Sequence, residues 1–299
     1  MPTADETPPS LPADALLIGV DGGGTGCRAR IETAAGDVLG AGVAGPATTR
    51  LGVEAALASI MTACRGALAE AGLDEADFAR MRAGIGLAGA GRKGAIEALQ
   101  AAPLPFCATA FATDGLIACI GAHSGLDGGI VIVGTGSFGL ARVGGREHKV
   151  GGYGFPVSDE GSGADLGLQA IRLALRAHDG RVDRTALLAE VMHRFGDDPV
   201  EVVAWMDKAT ATEYATFAPL VMRHADNGDP IGRRIVQAAA EQVDGLCRAL
   251  AERGAPRIAL VGGLSSAIEP WLAPDVRRRL KPLDGDAVSG ALWMARRNG

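Results

Sequence analysis

The chain has 299 residues, enough for two domains of ordinary size or one large domain. Its formal net charge of -6 argues against non-specific nucleic-acid binding, which depends on a basic surface. The five cysteines show no CxxC spacing and the five histidines no HExxH pattern, so neither a zinc site nor a disulfide framework is expected. This cysteine usage fits the reducing cytoplasm.

The N-terminal sequence MPTADETPPSLPAD is rich in acids and prolines. It has neither the basic nor the apolar region of a signal peptide, and we expect residues 1–14 to be a disordered tail. No apolar run in the sequence approaches the roughly 20 residues that cross a membrane. We therefore expect a cytoplasmic protein that binds neither membranes nor nucleic acid.

The first half of the chain alternates strands and helices. Strands at 16–20, 27–31 and 38–43 are separated by short turns and predict an antiparallel meander. An amphipathic helix follows, with apolar residues at three- and four-residue steps from Val53, and Gly72 ends it. The next predicted elements are a strand at 83–89, a helix near 93–100, a strand at 106–113 and a helix at 115–122.

The same strand–turn–strand pattern returns from Gly128 in GGIVIVGTGSFGLARVGG. The two glycine turns begin at Gly22 and Gly134, 112 residues apart, and this weak repeat predicts two similar α/β domains in tandem, each with a mixed sheet. We expect domains at 15–123 and 124–299, with a helical insertion at about 160–253 in the second. The remaining predicted elements are helices at 165–177, 185–194, 199–208, 213–224 and 230–253, a strand at 257–261 and a helix at 286–296.

The motif DGGGT follows the first strand. Glycines allow backbone N–H groups to surround phosphate oxygens, and Thr25 adds a hydroxyl donor. Asp21 offers a carboxylate that could hold Mg²⁺ through water. The alternative is a tight hairpin with a solvated aspartate.

Two further glycine motifs favour a ligand. The turn GTGS, from Gly134 to Ser137, has the same donors without the acid, so two facing turns could grip one polyphosphate. In LVGGLSS a buried strand ends at Gly262 and Gly263, where a planar ring could lie close to the backbone. Many strand-to-helix connections contain paired glycines, however, so this motif alone is also compatible with a purely structural turn.

Acidic residues provide candidate acceptors for a substrate. Asp114 ends a strand and begins a helix, a place where open α/β folds bind ligands, and it could act as a base or simply cap the helix. Asp159 and Glu160 lie in a glycine-rich segment before Ser162 and Asp165, which could form a capping box. Such acceptors could bind the hydroxyls of a polyol, although a solvated acidic turn is the alternative.

Taken in order, seven motifs resemble those of the BadF/BadG/BcrA/BcrD-type ATPase family, within the actin, Hsp70 and sugar-kinase superfamily. They are GVDGGGTGCRARI, GLAGAG, TDG, GTGSFGL, GGYGFPVSDEGSGADLGL, VGGL and DAVSGAL, and the resemblance runs from about Leu16 to Ala295. Within the family the chain looks most like bacterial glucosamine and N-acetylglucosamine kinases. The resemblance implies two tandem ribonuclease-H-like (actin-like ATPase) domains with ATP in an interdomain cleft.

The resemblance also implies individual roles. Asp21 would help to coordinate Mg²⁺, and Asp114 would be the catalytic base that faces the sugar 6-hydroxyl. The implied ATP-binding residues are Gly22, Gly23, Gly24, Thr25, Gly134, Thr135, Gly136, Ser137, Gly262 and Gly263. The implied sugar-binding residues are Thr48, Gly89, Ala90, Asp114, Asp159 and Glu160. Family members commonly have a sugar-binding asparagine near AGPATTRLG, where this chain has Pro46 and Thr48, and this departure bears mainly on which sugar is bound.

The expected function is ATP- and Mg²⁺-dependent phosphorylation of glucosamine or N-acetylglucosamine at the 6-hydroxyl. One alternative on the same scaffold is an ATPase activator that passes electrons to a dehydratase through an iron–sulfur cluster, but Cys27 and Cys64 are expected in the core. Another is a non-catalytic sugar sensor, although both acids and both glycine turns are present. Family analogy also suggests a homodimer through the second domain.

Overall fold

A computed structural model describes residues 11–12 and 14–298, so most of the predicted N-terminal tail, residues 1–14, lies outside the described residues. The chain forms two compact units. The first contains the residues up to Gly128, a short segment Arg142–Glu147 and the C-terminal residues from Pro282. The second contains Gly129–Ala141 and His148–Lys281.

The secondary structure follows the predicted alternation closely. The strands are β1 (Leu16–Gly22), β2 (Cys27–Thr33), β3 (Val38–Ala44), β4 (Met81–Leu87), β5 (Ala108–Thr113), β6 (Gly128–Val133), β7 (Ser137–Val143), β8 (Arg146–Gly151) and β9 (Ile258–Val261). The helices are α1 (Val53–Ala71), α2 (Ala95–Gln100), α3 (Asp114–Ala122), α4 (Gly163–His178), α5 (Ala186–His193), α6 (Pro199–Met206), α7 (Ala211–Ala215), α8 (Ala218–Asp226), α9 (Pro230–Glu252), α10 (Ser265–Ile268), α11 (Pro274–Arg277) and α12 (Ala287–Arg297).

The first unit is built on a five-stranded mixed sheet in the order β3-β2-β1-β4-β5. The strands β1, β2 and β3 form the predicted antiparallel meander, and β1, β4 and β5 are parallel. Helix α1 packs on β3 and β2, where a Cβ atom on Gly42 would meet the backbone of Ala63 and Ala67. As predicted, Gly72 ends α1 in a left-handed conformation, and its N–H bonds the carbonyls of Ala69 and Leu68.

The C-terminal helix α12 packs on the first unit, against α3, β1 and β4. Val288, Leu292 and Ala295 on its apolar face form a buried cluster with Leu17 of β1. The turn between β7 and β8 also belongs to the first unit, because the buried Arg142 donates from Nη1 to the Gly125 carbonyl at 2.9 Å. The compact units therefore do not coincide with the predicted limits 15–123 and 124–299, since local patterns cannot show which sheet a terminal helix covers.

The second unit contains a four-stranded sheet in the order β8-β7-β6-β9, with β6 and β9 parallel. Helices α4 to α9 lie within the predicted insertion, but the single helix predicted at 213–224 is two helices, α7 and α8. Pro219 lies in the first turn of α8, where its missing N–H is tolerated, whereas it would interrupt a continuous helix. Phe217 at the break is buried and packs on the rings of Phe195 and Trp205. None of the helices in residues 14–298 is both long and apolar enough to cross a membrane.

Candidate active site

Parallel strands bring several predicted site residues of the first unit to one sheet edge. Gly22 of β1 pairs with Leu87 of β4, and Leu87 pairs with Thr113 of β5. These residues end their strands, so the chain leaves all three strands at the same edge. In open α/β sheets this carboxyl edge is where ligands bind. Asp21, Gly22, Gly89, Ala90 and Asp114 therefore all lie at this edge, within two or three residues of the paired positions.

The first glycine turn connects β1 to β2 and is open. The Gly23 N–H donates to the Gly26 carbonyl at 2.8 Å, and the Gly23 carbonyl accepts from Ala47 N–H at 2.9 Å. Gly24 and Thr25 are exposed, and a Cβ atom added to Gly24 would meet no atom of the described residues within 4 Å. Packing does not require glycine at position 24, and the exposed backbone leaves room for a phosphate group to approach.

Asp21 is the one acid of this turn, and it is paired with a residue that sequence analysis did not single out. Arg28 lies opposite Asp21 in the β1–β2 register and donates from Nη2 to Asp21 Oδ2 at 2.7 Å. The sequence predicts that these two strands are antiparallel neighbours, and their register, which the structure supplies, reveals this pair. The Arg28 side chain is 57% exposed, so it can move away from the carboxylate without opening the core.

A single carboxylate fits the way that Mg²⁺ is usually bound with nucleotides. Mg²⁺ keeps several waters and takes one or two carboxylates plus substrate phosphate oxygens. Among the described residues no group of three or more histidine, cysteine, aspartate or glutamate side chains is placed to hold a metal. Asp21 therefore fits a metal that is shared with a phosphate ligand better than an all-protein cage.

The segment around Thr48 is fastened to the end of β4. Thr48 forms a parallel bridge with Ala88, and its Oγ1 donates to the Ala88 carbonyl at 3.1 Å. Thr48 Oγ1 also accepts from the N–H of Arg50 at 3.3 Å, which caps a short 3-10 turn. Gly89 follows with φ of +82°, and Ala90 is buried. These contacts bring Thr48, Gly89 and Ala90 together at the carboxyl edge.

Asp114 is the first residue of α3 and not its cap. The cap is Thr113, whose Oγ1 accepts from the N–H of Leu116 at 3.1 Å. The Asp114 carboxylate accepts from the N–H of Gly115 through Oδ1 at 2.9 Å. Because Thr113 already caps the helix, capping does not explain an aspartate at position 114.

The second glycine turn, in the second unit, is tied to the start of α4. The Gly134 N–H donates to the Gly136 carbonyl at 2.9 Å, as in a short hairpin. The carbonyl of Gly134 accepts from Gly163 N–H at 2.8 Å, and the carbonyl of Thr135 accepts from Ala164 N–H at 3.2 Å. The turn thus satisfies two N–H groups of the first turn of α4, which otherwise lack partners within the helix.

The Ser137 hydroxyl forms a hydrogen bond within the protein. The side chain is buried, and Oγ donates to the carbonyl of Glu160 at 2.7 Å. The hydroxyl proton is thus used inside the protein, to hold the acidic segment beside the turn. The capping box predicted for Ser162 and Asp165 forms in a shifted way: Ser162 Oγ accepts from Asp165 N–H at 3.2 Å, whereas Asp165 accepts from Gly161 N–H at 2.9 Å.

Asp159 lies directly beside the second turn. A Cβ atom on Gly136 would be 2.6 Å from Asp159 Oδ2. The backbone of Asp159 is left-handed, with φ of +67°, and Oδ1 accepts from Gly154 N–H at 3.4 Å. Burial raises the pKa of Asp159, and the charge of Glu160 adds to this, against the opposing hydrogen bonds and Lys149. Glu160 itself accepts from Ser158 Oγ at 3.3 Å.

The paired glycines end β9 next to the end of β6. Ile132 pairs with Val261, and the carbonyl of Val133 accepts from Leu264 N–H at 3.0 Å. Gly262 has φ of +109°, and a Cβ atom there would meet the Val133 carbonyl. Gly263 is exposed, and a Cβ atom there would meet no described atom within 4 Å. Glycine is thus required structurally at position 262 but not at position 263.

The predicted residues therefore fall into two sets, one in each unit. In the first unit the carboxyl edge brings together Asp21, Gly22, Gly23, Gly24, Thr25, Thr48, Gly89, Ala90 and Asp114. In the second unit the ends of β6 and β9 and the start of α4 bring together Gly134, Thr135, Gly136, Ser137, Asp159, Glu160, Gly262 and Gly263. Each set combines exposed glycine backbone with a carboxylate, which suits phosphate and hydroxyl ligands.

The two mixed sheets with these edge sites define an α/β fold of the actin-like ATPase type, as predicted. The sequence profile of the BadF/BadG/BcrA/BcrD ATPase family matches residues 18–281, and the chain belongs to this family. A glucosamine kinase of Vibrio cholerae is 41% identical over 278 residues, which cover 93% of this chain and 95% of the relative.

Two further similarities agree with this family. An N-acetylmuramic acid/N-acetylglucosamine kinase of Clostridium acetobutylicum is 30% identical over 239 residues, 76% of each chain. A crystal structure from Chromobacterium violaceum, provisionally designated an N-acetylglucosamine kinase, has a TM-score of 0.85 at 35% identity. That match covers 95% of this chain and 100% of the other. The predicted family and fold class are thereby confirmed.

Proposed function

We propose that this protein is an ATP-dependent amino-sugar kinase that phosphorylates glucosamine or N-acetylglucosamine at the 6-hydroxyl. The observation that carries the proposal is the register of β1, β4 and β5, which brings Asp21, the first glycine turn and Asp114 to one sheet edge. The kinases that this chain resembles over most of its length support the same activity. Glucosamine is the first acceptor to test, because the 41% identical relative is a glucosamine kinase.

In this proposal Asp114 is the catalytic base. As the sugar 6-oxygen forms its bond to the γ-phosphorus, the bond from that phosphorus to the oxygen shared with the β-phosphate breaks, and ADP leaves. The proton of the 6-hydroxyl passes to the Asp114 carboxylate. Phosphoryl transfer depends mainly on positioning and on neutralising charge, and a positioned base adds roughly 10²–10⁴-fold.

Both glycine turns would contribute to ATP binding through backbone N–H groups, with Thr25 and Thr135 adding hydroxyls. Asp21 would hold Mg²⁺, which when bound neutralises phosphate charge. Gly263 is exposed, and an added Cβ atom there would meet no described atom within 4 Å, so it would leave room for the adenosine beside the backbone. Asp159 and Glu160 would accept hydrogen bonds from sugar hydroxyls.

The cysteines support the kinase over the iron–sulfur activator. Four of the five are buried and only Cys107 is exposed. Burial, with the nearby charge of Asp21, raises the pKa of Cys27 to about 12, and burial with Asp244 does the same for Cys247. Cluster ligands are thiolates, which these groups would not readily form. The free thiols also suit the cytoplasm, and the predicted homodimer can be tested by light scattering.

A coupled ADP-release assay tests the proposed activity. We expect ADP release that requires ATP, Mg²⁺ and glucosamine or N-acetylglucosamine, with the phosphorylated sugar detected by mass spectrometry. Glucose and N-acetylmannosamine serve as comparison acceptors, and Asp114→Asn serves as the control that should bind ATP but turn over roughly 10²–10⁴-fold more slowly. ADP release that no sugar stimulates would reject the proposal.

A further inference from the structure

Two adjacent threonines near the end of β4 differ in how their hydroxyls are used. The Thr48 hydroxyl donates its proton to the Ala88 carbonyl and accepts from Arg50 N–H. Thr48 is 7% exposed, so the hydroxyl is committed to holding its own segment on β4. A ligand could compete for it only by breaking these bonds. The hydroxyl of Thr48, the residue that the sequence suggested for sugar binding, is therefore already hydrogen-bonded within the protein.

The hydroxyl of Thr49 makes no such hydrogen bonds among the described residues. Thr49 Oγ1 is buried and has no hydrogen-bond partner among the described residues. The Thr49 residue as a whole is only half-buried, and its backbone N–H donates to the Ala88 carbonyl at 3.1 Å. The hydroxyl lies against Gly89, where a Cβ atom would meet Thr49 Oγ1, so the left-handed glycine makes room for it.

A buried hydroxyl without a partner destabilises a protein, because its hydrogen bonds to water are lost and not replaced. At Thr49 the partner could come from a ligand. Thr49 is half-buried, and its Oγ1 atom is on the buried side. Rotation about χ1 to another staggered position would turn the hydroxyl outward without moving the backbone. This position is at the carboxyl edge, one residue from the Thr48–Ala88 bridge and in the same set as Asp114.

We propose that Thr49, and not Thr48, supplies the hydroxyl that binds a polar substituent of the sugar ring. This inference rests on the proposed sugar-kinase function and names a specificity-determining residue of that site. The Thr49 hydroxyl contributes to sugar affinity and not to folding, whereas the Thr48 hydroxyl contributes to folding.

The test compares Thr49→Val, Thr49→Ser and the matched control Thr48→Val in the full-length protein. Calorimetry with glucosamine and with N-acetylglucosamine gives the sugar Kd, steady-state kinetics give kcat and both KM values, and thermal melting gives Tm. Valine keeps the branched shape of threonine and replaces the hydroxyl with a methyl group. We expect Thr49→Val to raise the sugar Kd and KM about tenfold, the loss of about one hydrogen bond.

The other readouts separate binding from structure. For Thr49→Val, the KM for ATP and kcat should stay within about twofold, and Tm should be unchanged or higher because an unpaired hydroxyl is removed. Thr49→Ser should bind sugar like the wild type. Thr48→Val should lower Tm, because the Ala88 carbonyl and Arg50 N–H lose their partner.

Each outcome decides a different claim. Wild-type sugar affinity in Thr49→Val, or a lower Tm for that variant, overturns the inference about Thr49 and leaves the kinase proposal standing. A wild-type protein that binds none of the amino sugars overturns both, since the inference depends on the proposed substrate. A tenfold weaker Kd for Thr49→Val with unchanged Tm supports it.

Discussion

The two glycine turns have similar sequences but very different surroundings. The turn after β1 is held by Ala47 N–H, and its Gly24 and Thr25 are exposed. The turn after β6 is fastened by N–H groups of Gly163 and Ala164 and by the Ser137–Glu160 bond, and the Asp159 carboxylate lies beside it. One turn is an open hairpin, and the other is part of the start of a long helix.

Similar sequence patterns can therefore stand in two different structural settings, one open and one tied into the fold. Substitutions in the open turn should affect ligand binding with little effect on folding, because few protein groups depend on it. Substitutions in the fastened turn should affect both, because the turn also satisfies the N-terminus of α4 and positions the acidic segment. Substitutions test this contrast, and the first is at Asp114, which lies at the same sheet edge as the open turn.

Asp114→Asn should have the largest effect. We expect kcat to fall roughly 10²–10⁴-fold because the amide cannot accept the proton of the sugar hydroxyl. ATP affinity by calorimetry and Tm should change little, since Thr113 caps α3. Near-normal turnover would remove Asp114 from the proposed role.

The paired glycines offer a matched comparison within the second unit. Gly262→Ala should lower the free energy of unfolding by about 1–3 kcal/mol, because φ is +109° and the new methyl group would meet the Val133 carbonyl. Gly263→Ala should leave stability nearly unchanged but raise the KM for ATP. Urea unfolding measures both variants, and equal stability losses would contradict this division.

Gly24→Ala and Gly136→Ala compare the two turns directly. At Gly24 the methyl group meets no described atom within 4 Å, so stability should hold or rise by up to about 1 kcal/mol while the KM for ATP rises. At Gly136 the methyl group would lie 2.6 Å from Asp159 Oδ2, so stability should fall as well. Melting curves give the stability of both variants, and ATP titrations give their ATP affinity. A Gly24→Ala protein that is as unstable as Gly136→Ala would contradict the predicted difference between the two turns.

Asp159→Asn should have a small effect on stability that depends on pH. Folding raises the pKa of Asp159 chiefly through burial, so the folded protein favours the protonated acid. Stability is therefore lost as pH rises from the ordinary aspartate pKa through the folded value. Asparagine tolerates the left-handed backbone and cannot ionise, so the variant should be slightly more stable than wild type at pH 7, with the difference shrinking towards pH 4. A stability difference between the variant and the wild type that widens at low pH would contradict this prediction.

Local signals explain what the sequence could predict. The meander β1 to β3, helix α1 with Gly72 at its end, and the start of α4 at Ser162 all follow from alternation, helical spacing and capping residues. The site residues at the first sheet edge follow from the same strands, because Asp21, Gly22 and Asp114 lie at or directly after the end of a strand.

Non-local contacts explain what the sequence could not predict. Nothing near α12 indicates that it covers β1 and β4, and nothing near Ser137 indicates a bond to Glu160. The break between α7 and α8 depends on burying Phe217 as well as on Pro219. The two neighbouring threonines are chemically identical in the sequence. Only the structure shows that the Thr48 hydroxyl bonds Ala88 and Arg50, whereas the Thr49 hydroxyl has no partner among the described residues.

The central claim is that both glycine turns bind ATP although only one of them is open. Hydrogen–deuterium exchange with and without a non-hydrolysable ATP analogue and Mg²⁺ tests this most directly. We predict slower exchange at residues 22–26 and at 134–137 in the presence of the analogue, with the larger change at the exposed first turn. Unchanged exchange in both turns, at analogue concentrations that saturate the protein by calorimetry, would contradict the claim.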